Sequence, residues 1–216
     1  MLLGLVAGIG ALGWNQYTWQ RAVRQLEEVG IMAVPQDEHL GERLWRTAKA
    51  DWRQLFKAGT WQTKPVIWMM APDRAGSLRN LDALAPALRR INPEFLYLVG
   101  CPALENVDGL KGLATLQVLH LSGCTALQNV DGLKGLTALQ MLDLSGCTAL
   151  QNADVLKGLT ALQDLYLYGC PALQDVDGLK GLTALQWVHL SRCPKLSPEQ
   201  VAALRAALPK ANIRYW

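Results

Sequence analysis

Five cysteines recur at a fixed spacing of 23 residues and are the most regularly placed reactive side chains in the chain. They are Cys101, Cys124, Cys147, Cys170 and Cys193. Thiols can form disulfides, bind a metal or donate hydrogen bonds from a buried position. An odd count at one repeat position argues against pairing, and thiols about 5 Å apart, the spacing between strands, do not converge on one metal ion. We therefore expect a buried row of thiols that satisfies main-chain groups of the adjoining turns, with disulfides or metal binding as the alternatives.

A histidine, an aspartate and two serines could be drawn together as a hydrolase-like group. His120 and Asp143 occupy the same position of neighbouring repeats, and Ser122 and Ser145 lie one step farther along. Such chemistry needs an oriented base and an oxyanion hole beside the nucleophile. A sheet surface is open to water and its amides are used in the ladder, so we predict no enzyme. The sequence also lacks a P-loop, a dinucleotide-binding glycine motif and H-E-x-x-H, and we expect no cofactor and no metal.

The cysteines belong to a repeated frame that must position these side chains. The pattern L-x-x-L-x-L-x-x-C spans 116–124, 139–147 and 162–170. It predicts stacked units with inward leucines and parallel strands at 94–99, 117–122, 140–145, 163–168 and 186–191. Four aspartates precede the return path and are predicted to cap short helical turns, namely Asp108, Asp131, Asp154 and Asp177. Four glutamines recur at one exposed strand position and could form an amide ladder, namely Gln117, Gln140, Gln163 and Gln186.

Both ends of the repeat array depart from this frame. The apolar run from Val66 to Met70 predicts a first, degenerate strand. After the last cysteine, Ser197 is expected to cap a helix that runs to Leu208, with Pro198 at its first position. Residues 212–216 could add a final strand that closes the sheet.

This sequence pattern resembles the leucine-rich repeat superfamily over Pro93 to about Ala207, with degenerate matches upstream to about Pro65. The cysteine-bearing repeats are similar to those of plant disease-resistance proteins and of bacterial internalin-like proteins. The resemblance implies an α/β solenoid with a parallel β-sheet on the concave face, short helical turns on the convex face and a helical N-terminal cap. It also implies a protein-binding scaffold that uses the concave sheet, although fold alone does not fix function.

The residues between the inward leucines are predicted to line the concave face. At these positions the residue types differ from one repeat to the next. Aromatic residues of the kind found at these positions often dominate protein interfaces. We predict a groove centred on Tyr166, Tyr168, Trp187 and His189, with Arg192 at its basic edge. The alternative is unselected drift on an exposed sheet. The full set of predicted binding residues is Phe95, Tyr97, His120, Met141, Asp143, Asp164, Tyr166, Tyr168, Trp187, His189 and Arg192.

The N-terminal part divides into two segments ahead of the repeat domain at 65–216. Residues 1–19 are uncharged and end in Trp14, Tyr17 and Trp19, which predicts a membrane segment, whole or truncated. The alternative is a buried helix packed on the end of the solenoid. Residues 20–64 are predicted as a helical cap or linker, with amphipathic helical patterns across 20–57 interrupted at Pro35.

The overall charge excludes little by itself. A formal net charge of +3 is too small to argue for nucleic acid or an anionic membrane, but residues 185–216 hold five bases against Glu199. We expect a monomeric protein-interaction module with a protein partner and no nucleic acid, located in the cytoplasm and tethered to the inner face of a membrane if residues 1–19 insert. A regulatory or sensor tail of a larger membrane protein, or a structural spacer without a ligand, are the alternatives.

Overall fold

The computed structural model describes residues 78–216 and the main chain of two strands nearer the N-terminus, Ile31–Val34 (β1) and Val66–Met69 (β2). The strands that follow are Phe95–Tyr97 (β3), Val118–His120 (β4), Met141–Asp143 (β5), Asp164–Tyr166 (β6), Trp187–His189 (β7) and Asn212–Arg214 (β8). Two α-helices lie among them, Ala85–Ile91 (α1) and Pro198–Ala207 (α2). Short 3-10 turns occupy Asp82–Leu84, Asp108–Leu110, Asp131–Leu133, Asp154–Gly158 and Asp177–Leu179.

The strands form one sheet in chain order. β2 to β8 run parallel, each in register with the next repeat, whereas β1 pairs antiparallel with β2. The strands confirm the predicted positions but are three residues long in the regular repeats. The ladder nevertheless continues past them, because Leu98 N–H donates to the carbonyl of His120 and Gly100 N–H to that of Ser122, each at 2.8 Å.

Several columns of leucines, one from each inward position of the repeat, fill the space between the sheet and the convex turns. In each regular strand only the central residue is buried, as for Leu119, Leu142 and Leu165, which are fully inaccessible to solvent. No unit could bury these side chains alone, so stacking creates the core. The predicted inward orientation of the repeat leucines is confirmed.

The cysteines extend this core and satisfy main-chain carbonyls of the preceding repeat. Cys124, Cys147, Cys170 and Cys193 donate to Leu98, Leu121, Leu144 and Leu167 at 3.1 to 3.3 Å. All five thiols are buried and unpaired with one another as disulfides. Burial raises the pKa of Cys147, and it raises that of Cys170 to about 12. The expected row of buried thiols is confirmed.

The convex aspartates do not cap the turns, contrary to the prediction. Asp131 is itself the first residue of its 3-10 turn, and no side chain bonds at the capping position before it. Its N–H is accepted instead by Oδ1 of Asn129 at 2.6 Å, and its own carboxylate pairs with Lys134 at 2.9 Å. Asn and Asp side chains readily close such local turns two residues ahead. The same arrangement recurs at Asn106 and Asp108 and at Asp175 and Asp177.

The glutamine column forms a ladder through the main chain and not through its amide side chains. Gln140 N–H donates to the carbonyl of Gln117 at 2.7 Å, and Gln163 and Gln186 continue the series. Within residues 78–216, no side-chain bond joins these glutamines. The predicted amide ladder was wrong, because the regular position serves the backbone pairing of neighbouring strands.

Glycines on the convex side allow the repeats to approach closely. A Cβ on Gly132 would collide with the main chain of Val107 and Asp108, and one on Gly109 with that of Leu81. The fourth repeat has Val155 at this position, and its 3-10 turn is five residues long where the others have three. The turn Asp82–Leu84 has Ala83 at this position and is also three residues long, so the glycine serves the close approach between repeats and does not by itself fix the length of the turn.

The C-terminal cap follows the sequence prediction. Ser197 Oγ accepts the N–H of Gln200 at 3.2 Å, and the Gln200 side chain accepts the N–H of Ser197, which completes a capping box ahead of α2. β8 then adds to the sheet beside β7. Tyr215 closes this end by donating its hydroxyl to the carbonyl of Leu196 at 2.7 Å.

One part of the N-terminal prediction needs correction. Residues 31–34 form a strand, whereas the sequence pattern placed helices across 20–57. A short apolar run fits either element, and pairing with β2 favours the extended form. The predicted membrane segment at 1–19 and the remainder of the helical cap lie outside the described residues and stay predictions. Within the described ranges, no helix is long and apolar enough to cross a membrane.

Candidate binding face

Three columns of side chains line the face of the sheet that points away from the leucine core, here called the concave face. Each regular strand contributes its two outer residues, which are half-buried, and a third residue follows the strand. The first column is Phe95, Val118, Met141, Asp164, Trp187 and Asn212; the second is Tyr97, His120, Asp143, Tyr166, His189 and Arg214; the third is Val99, Ser122, Ser145, Tyr168, Ser191 and Trp216. All eleven predicted binding residues lie on this face or, for Arg192, at its edge.

Tyr97, His120 and Asp143 form a contiguous chain across three strands. The Tyr97 and His120 rings stack with centroids 4.6 Å apart and planes 12° from parallel. His120 Nδ1 lies 3.4 Å from Oδ2 of Asp143, whose other oxygen accepts the N–H of Ser145 at 2.8 Å. Burial alone would raise the pKa of Asp143, but the hydrogen bonds from His120 and Ser145 outweigh it and hold that pKa below its usual value. These contacts fix the His120 ring.

The hydrolase-like group does not assemble around His120. Within the described residues neither Ser122 nor Ser145 places its hydroxyl in hydrogen-bond contact with the imidazole. Main-chain amides beside it are occupied, since Leu121 N–H donates to Asp143 and Gly123 N–H to Ser145. A nucleophile bonded to its base and free amides for an oxyanion are both needed for acyl transfer. Neither feature is present around His120 in the described repeats.

A second set of contacts occupies the C-terminal end of the face, and we call it the arginine–aromatic cluster. Its members are Tyr168, Trp187, His189, Arg192, Arg214 and Trp216. The guanidinium of Arg192 lies 5.2 Å from the centre of the Tyr168 ring, and Tyr168 in turn lies 5.2 Å from the ring of His189 at a 40° tilt. Such cation–π and ring contacts orient exposed side chains.

Arg214 occupies the centre of the other half of the cluster. Its guanidinium lies 4.8 Å from the ring centre of Trp187 and 5.8 Å from that of Trp216. Trp216 is 79% exposed, an unusual value for so large an apolar side chain. The two aromatic rings hold one arginine at the surface of the sheet.

His189 connects the two halves of the cluster, and its surroundings disfavour the imidazolium form. Its Nε2 lies 3.1 Å from Oγ of Ser191, and Ser191 is 2% exposed. Burial, and after it the nearby charge of Arg214, lowers the pKa of His189. No carboxylate orients the imidazole within the described residues, and a serine this deeply covered cannot reach a substrate. The pair is therefore a positioning contact.

The structure brings together only some of the residues of the predicted groove. Tyr168, Trp187, His189 and Arg192 lie in the arginine–aromatic cluster, whereas Tyr166 borders two aspartates. Burial, then the charges of Asp164 and Asp143, raises the pKa of Tyr166. Phe95 lies on β3 at the opposite end of the described repeats, and Met141 lies on β5, the strand of Asp143.

Two members of the cluster, Arg214 and Trp216, were missed at the sequence level. A final strand at 212–216 was predicted, and carrying the alternation of face and core residues through it would have placed both on the concave face. Within the described residues, no three His, Cys, Asp or Glu side chains lie close enough to hold a metal ion.

The parallel sheet, inward leucines and cysteines, and convex 3-10 turns define a leucine-rich-repeat solenoid. No protein-family profile matches the sequence, and no curated protein is significantly similar to it.

Solved structures with similar folds include an internalin (inlF) from Listeria monocytogenes, with 14% identity over 76% of this chain and a TM-score of 0.47. The chain spans 52% of that internalin. The leucine-rich-repeat domain of the type III effector XopL is 17% identical over 91% of this chain and 88% of its own, with a TM-score of 0.35. Human 5T4, a trophoblast glycoprotein, is 20% identical over 64% of this chain and 65% of its own, with a TM-score of 0.41. Likeness this distant carries no functional argument, so the assignment rests on the chain's own repeat geometry.

Proposed function

We propose that this solenoid is a non-enzymatic protein-interaction module whose concave face binds a partner protein. Domains of this fold usually serve as protein-binding scaffolds. The observation that carries the proposal is that the buried positions of the repeats are nearly constant, whereas the positions on the concave face vary. The buried positions repeat as leucine and cysteine, whereas the first face column changes from Val118 to Asp164 and Trp187.

The composition of the face supports recognition of a protein. Tyr, Trp and Arg are enriched among the residues that dominate binding energy at protein interfaces. All three types meet in the arginine–aromatic cluster, in which ring contacts hold Arg192 and Arg214 at the surface. Because these side chains are already oriented, little rotamer entropy remains to be lost on binding.

The test is partner capture with face variants matched to a convex control. Tyr168→Ala combined with Trp187→Ala should abolish retention of a partner without changing the melting temperature. Lys157→Ala, an exposed change on the convex side, should retain it. A photo-crosslinker placed at Tyr166 should label the same partner, whereas one at Lys157 should not. If the double variant retains every partner, or loses it only by unfolding, the concave face is not the binding site and the structural spacer becomes the better account.

The predicted membrane tether is tested separately. The full chain is fractionated beside a version that starts at Arg21. Sedimentation of the full chain alone with membranes supports a tethered module, whereas two soluble forms would remove the tether from the proposal.

A further inference from the structure

The C-terminal repeat breaks the glycine pattern of the turn that follows each strand. Gly100, Gly123, Gly146 and Gly169 all have positive φ angles of 67° to 74° there, and Arg192 adopts the same conformation with φ 59°. An L-residue other than glycine takes up this left-handed conformation only at a cost in free energy. Strained backbone of this kind gathers at functional sites, where the side chain is needed at that point.

The strained turn places a guanidinium at the edge of the concave face. The N–H of Arg192 donates to the carbonyl of Trp216 at 3.2 Å, which joins the turn to the chain just beyond β8. Its side chain lies over Tyr168, and Arg214 lies between Trp187 and Trp216. Ring contacts cover the flat faces of a guanidinium and leave its N–H donors directed outward.

Neither of these two arginines is neutralised within residues 78–216. Arg79 pairs with Glu105 at 2.8 Å and Arg205 donates to the carbonyl of Ile213 at 3.0 Å. By contrast, no described carboxylate lies within ion-pair distance of Arg192 or Arg214, and both are exposed. Oriented guanidiniums with unused donors are suited to carboxylates and phosphates.

The charge of the rest of the face decides between these two ligands. Asp143 and Asp164 occupy neighbouring strands on the N-terminal side of the cluster, while Val118 and Met141 are apolar. A nucleic acid carries a negative charge at every residue and would be repelled along this part of the groove. A polypeptide can place its carboxylates at one end and neutral or apolar side chains over the remainder.

We propose that Arg192 and Arg214 form a carboxylate clamp that binds a short acidic segment of the partner protein at the C-terminal end of the concave face. This inference rests on the proposed function and specifies the chemistry of the partner. The segment carries at least two Asp or Glu side chains, one for each guanidinium, and continues over Trp187 toward the middle of the sheet.

The full chain is titrated with a short fluorescent peptide in which glutamate alternates with alanine, with its glutamine counterpart, and with a single-stranded oligothymidylate of similar length. We expect the glutamate peptide to bind about tenfold or more tightly than the glutamine peptide. Arg192→Gly and Arg214→Gln should each weaken it by about tenfold, while Lys195→Gln should change little because Lys195 lies outside the cluster. Arg192→Gly restores the residue of the other repeats and relieves the turn, so a loss of binding cannot be ascribed to unfolding.

Three results of the peptide titration would each overturn the clamp. These are equal affinity for the glutamate and glutamine peptides, no detectable binding at millimolar peptide, and full affinity in the two arginine variants. Tighter binding of the oligonucleotide than of the glutamate peptide would equally overturn it and favour a nucleic-acid ligand. If capture of a partner requires Tyr168 and Trp187 but not the two arginines, the concave face still binds a protein, but the proposal that it recognises an acidic segment is wrong. If no partner depends on the face at all, the proposed function itself fails.

Discussion

The sulfur of Cys147 lies 3.3 Å from the main-chain carbonyl oxygen of Leu121, a residue 26 positions earlier in the chain. The bond crosses from one repeat to the one before it, and the same bond recurs at Cys124, Cys170 and Cys193. The thiol therefore serves both as core volume and as a hydrogen-bond donor to a carbonyl that water cannot reach. This explains why the cysteine position is part of the frame.

Cys147→Ala should lower the free energy of unfolding by about 1–3 kcal/mol, because it removes buried sulfur volume and one of the two donors to the Leu121 carbonyl, which keeps the N–H of Cys124 at 3.2 Å. Denaturant melts of the two proteins measure the change. Thr148→Ala is the matched control, since Thr148 also donates to a carbonyl of the previous repeat but is exposed, so water can replace it. An equal loss in both variants would contradict a special role for the buried thiol.

The five thiols should react slowly with a thiol reagent in the native protein and rapidly after unfolding. All five are buried, and burial keeps Cys170 protonated by raising its pKa to about 12. Mass spectrometry of timed labelling reads each site separately. Fast native labelling at Cys124, Cys147 and Cys170 would show that the row is open to solvent.

Gly132→Ala should destabilise the solenoid by about 1–3 kcal/mol, because its Cβ would meet the main chain of the previous repeat and force the two units apart. Gly158→Ala provides the control. No atom lies within 4 Å of a Cβ at Gly158, and its φ is not in the left-handed region, so alanine should be neutral or slightly stabilising there. Melting temperatures of the two variants distinguish close packing from a general cost of replacing glycine.

The repeat frame could be predicted in full because periodicity reports directly on a stacked core. Strand positions, inward leucines and the thiol row all follow from the 23-residue spacing. The hydrogen-bond partners of individual side chains could not be predicted from the spacing in the same way. The side chain of either Asn129 or Asp131 could accept a main-chain N–H in the convex turn. The sequence does not show which one does, whereas the structure shows that Asn129 accepts the N–H of Asp131. Gln140 was likewise placed correctly but assigned to the wrong ladder.

The site was predictable only where the frame continued. Tyr168, Trp187 and His189 fall at face positions of regular repeats, whereas Arg214 and Trp216 follow α2 and lie outside the 23-residue spacing. The pairing of β8 with β7 brings them beside Trp187. Because α2 lies between β7 and β8 in the chain, the repeat spacing of the sequence does not predict which residues of the two strands lie side by side.

Asp143 should make stability depend on acid pH. Its folded-state pKa lies below the usual value, so its contribution is present above the unfolded Asp pKa of about 3.9 and is lost as pH falls through the folded value. Asp143→Asn should flatten the fall in unfolding free energy in this acid range. Asp164→Asn is the control on the next strand, because the Asp164 carboxylate makes no hydrogen bond or ion pair within the described residues. An unchanged pH profile in Asp143→Asn would mean that the His120 and Ser145 contacts do not favour the charged carboxylate.

Arg214→Gln should raise the pKa of His189, because the nearby positive charge disfavours the imidazolium form and its removal eliminates that repulsion. Burial still lowers the pKa in the variant, so the return toward the usual value is partial. The imidazole resonances followed by NMR against pH measure the shift. Arg214→Lys keeps the charge and should leave the pKa of His189 low, and Lys210→Gln removes a base outside the cluster. If Arg214→Gln leaves the titration unchanged, burial alone accounts for the lowered pKa of His189. A rise in the Lys210 variant would instead indicate the general field of the basic C-terminal end. A rise in the Arg214→Gln variant alone places the guanidinium close to His189, inside the proposed clamp.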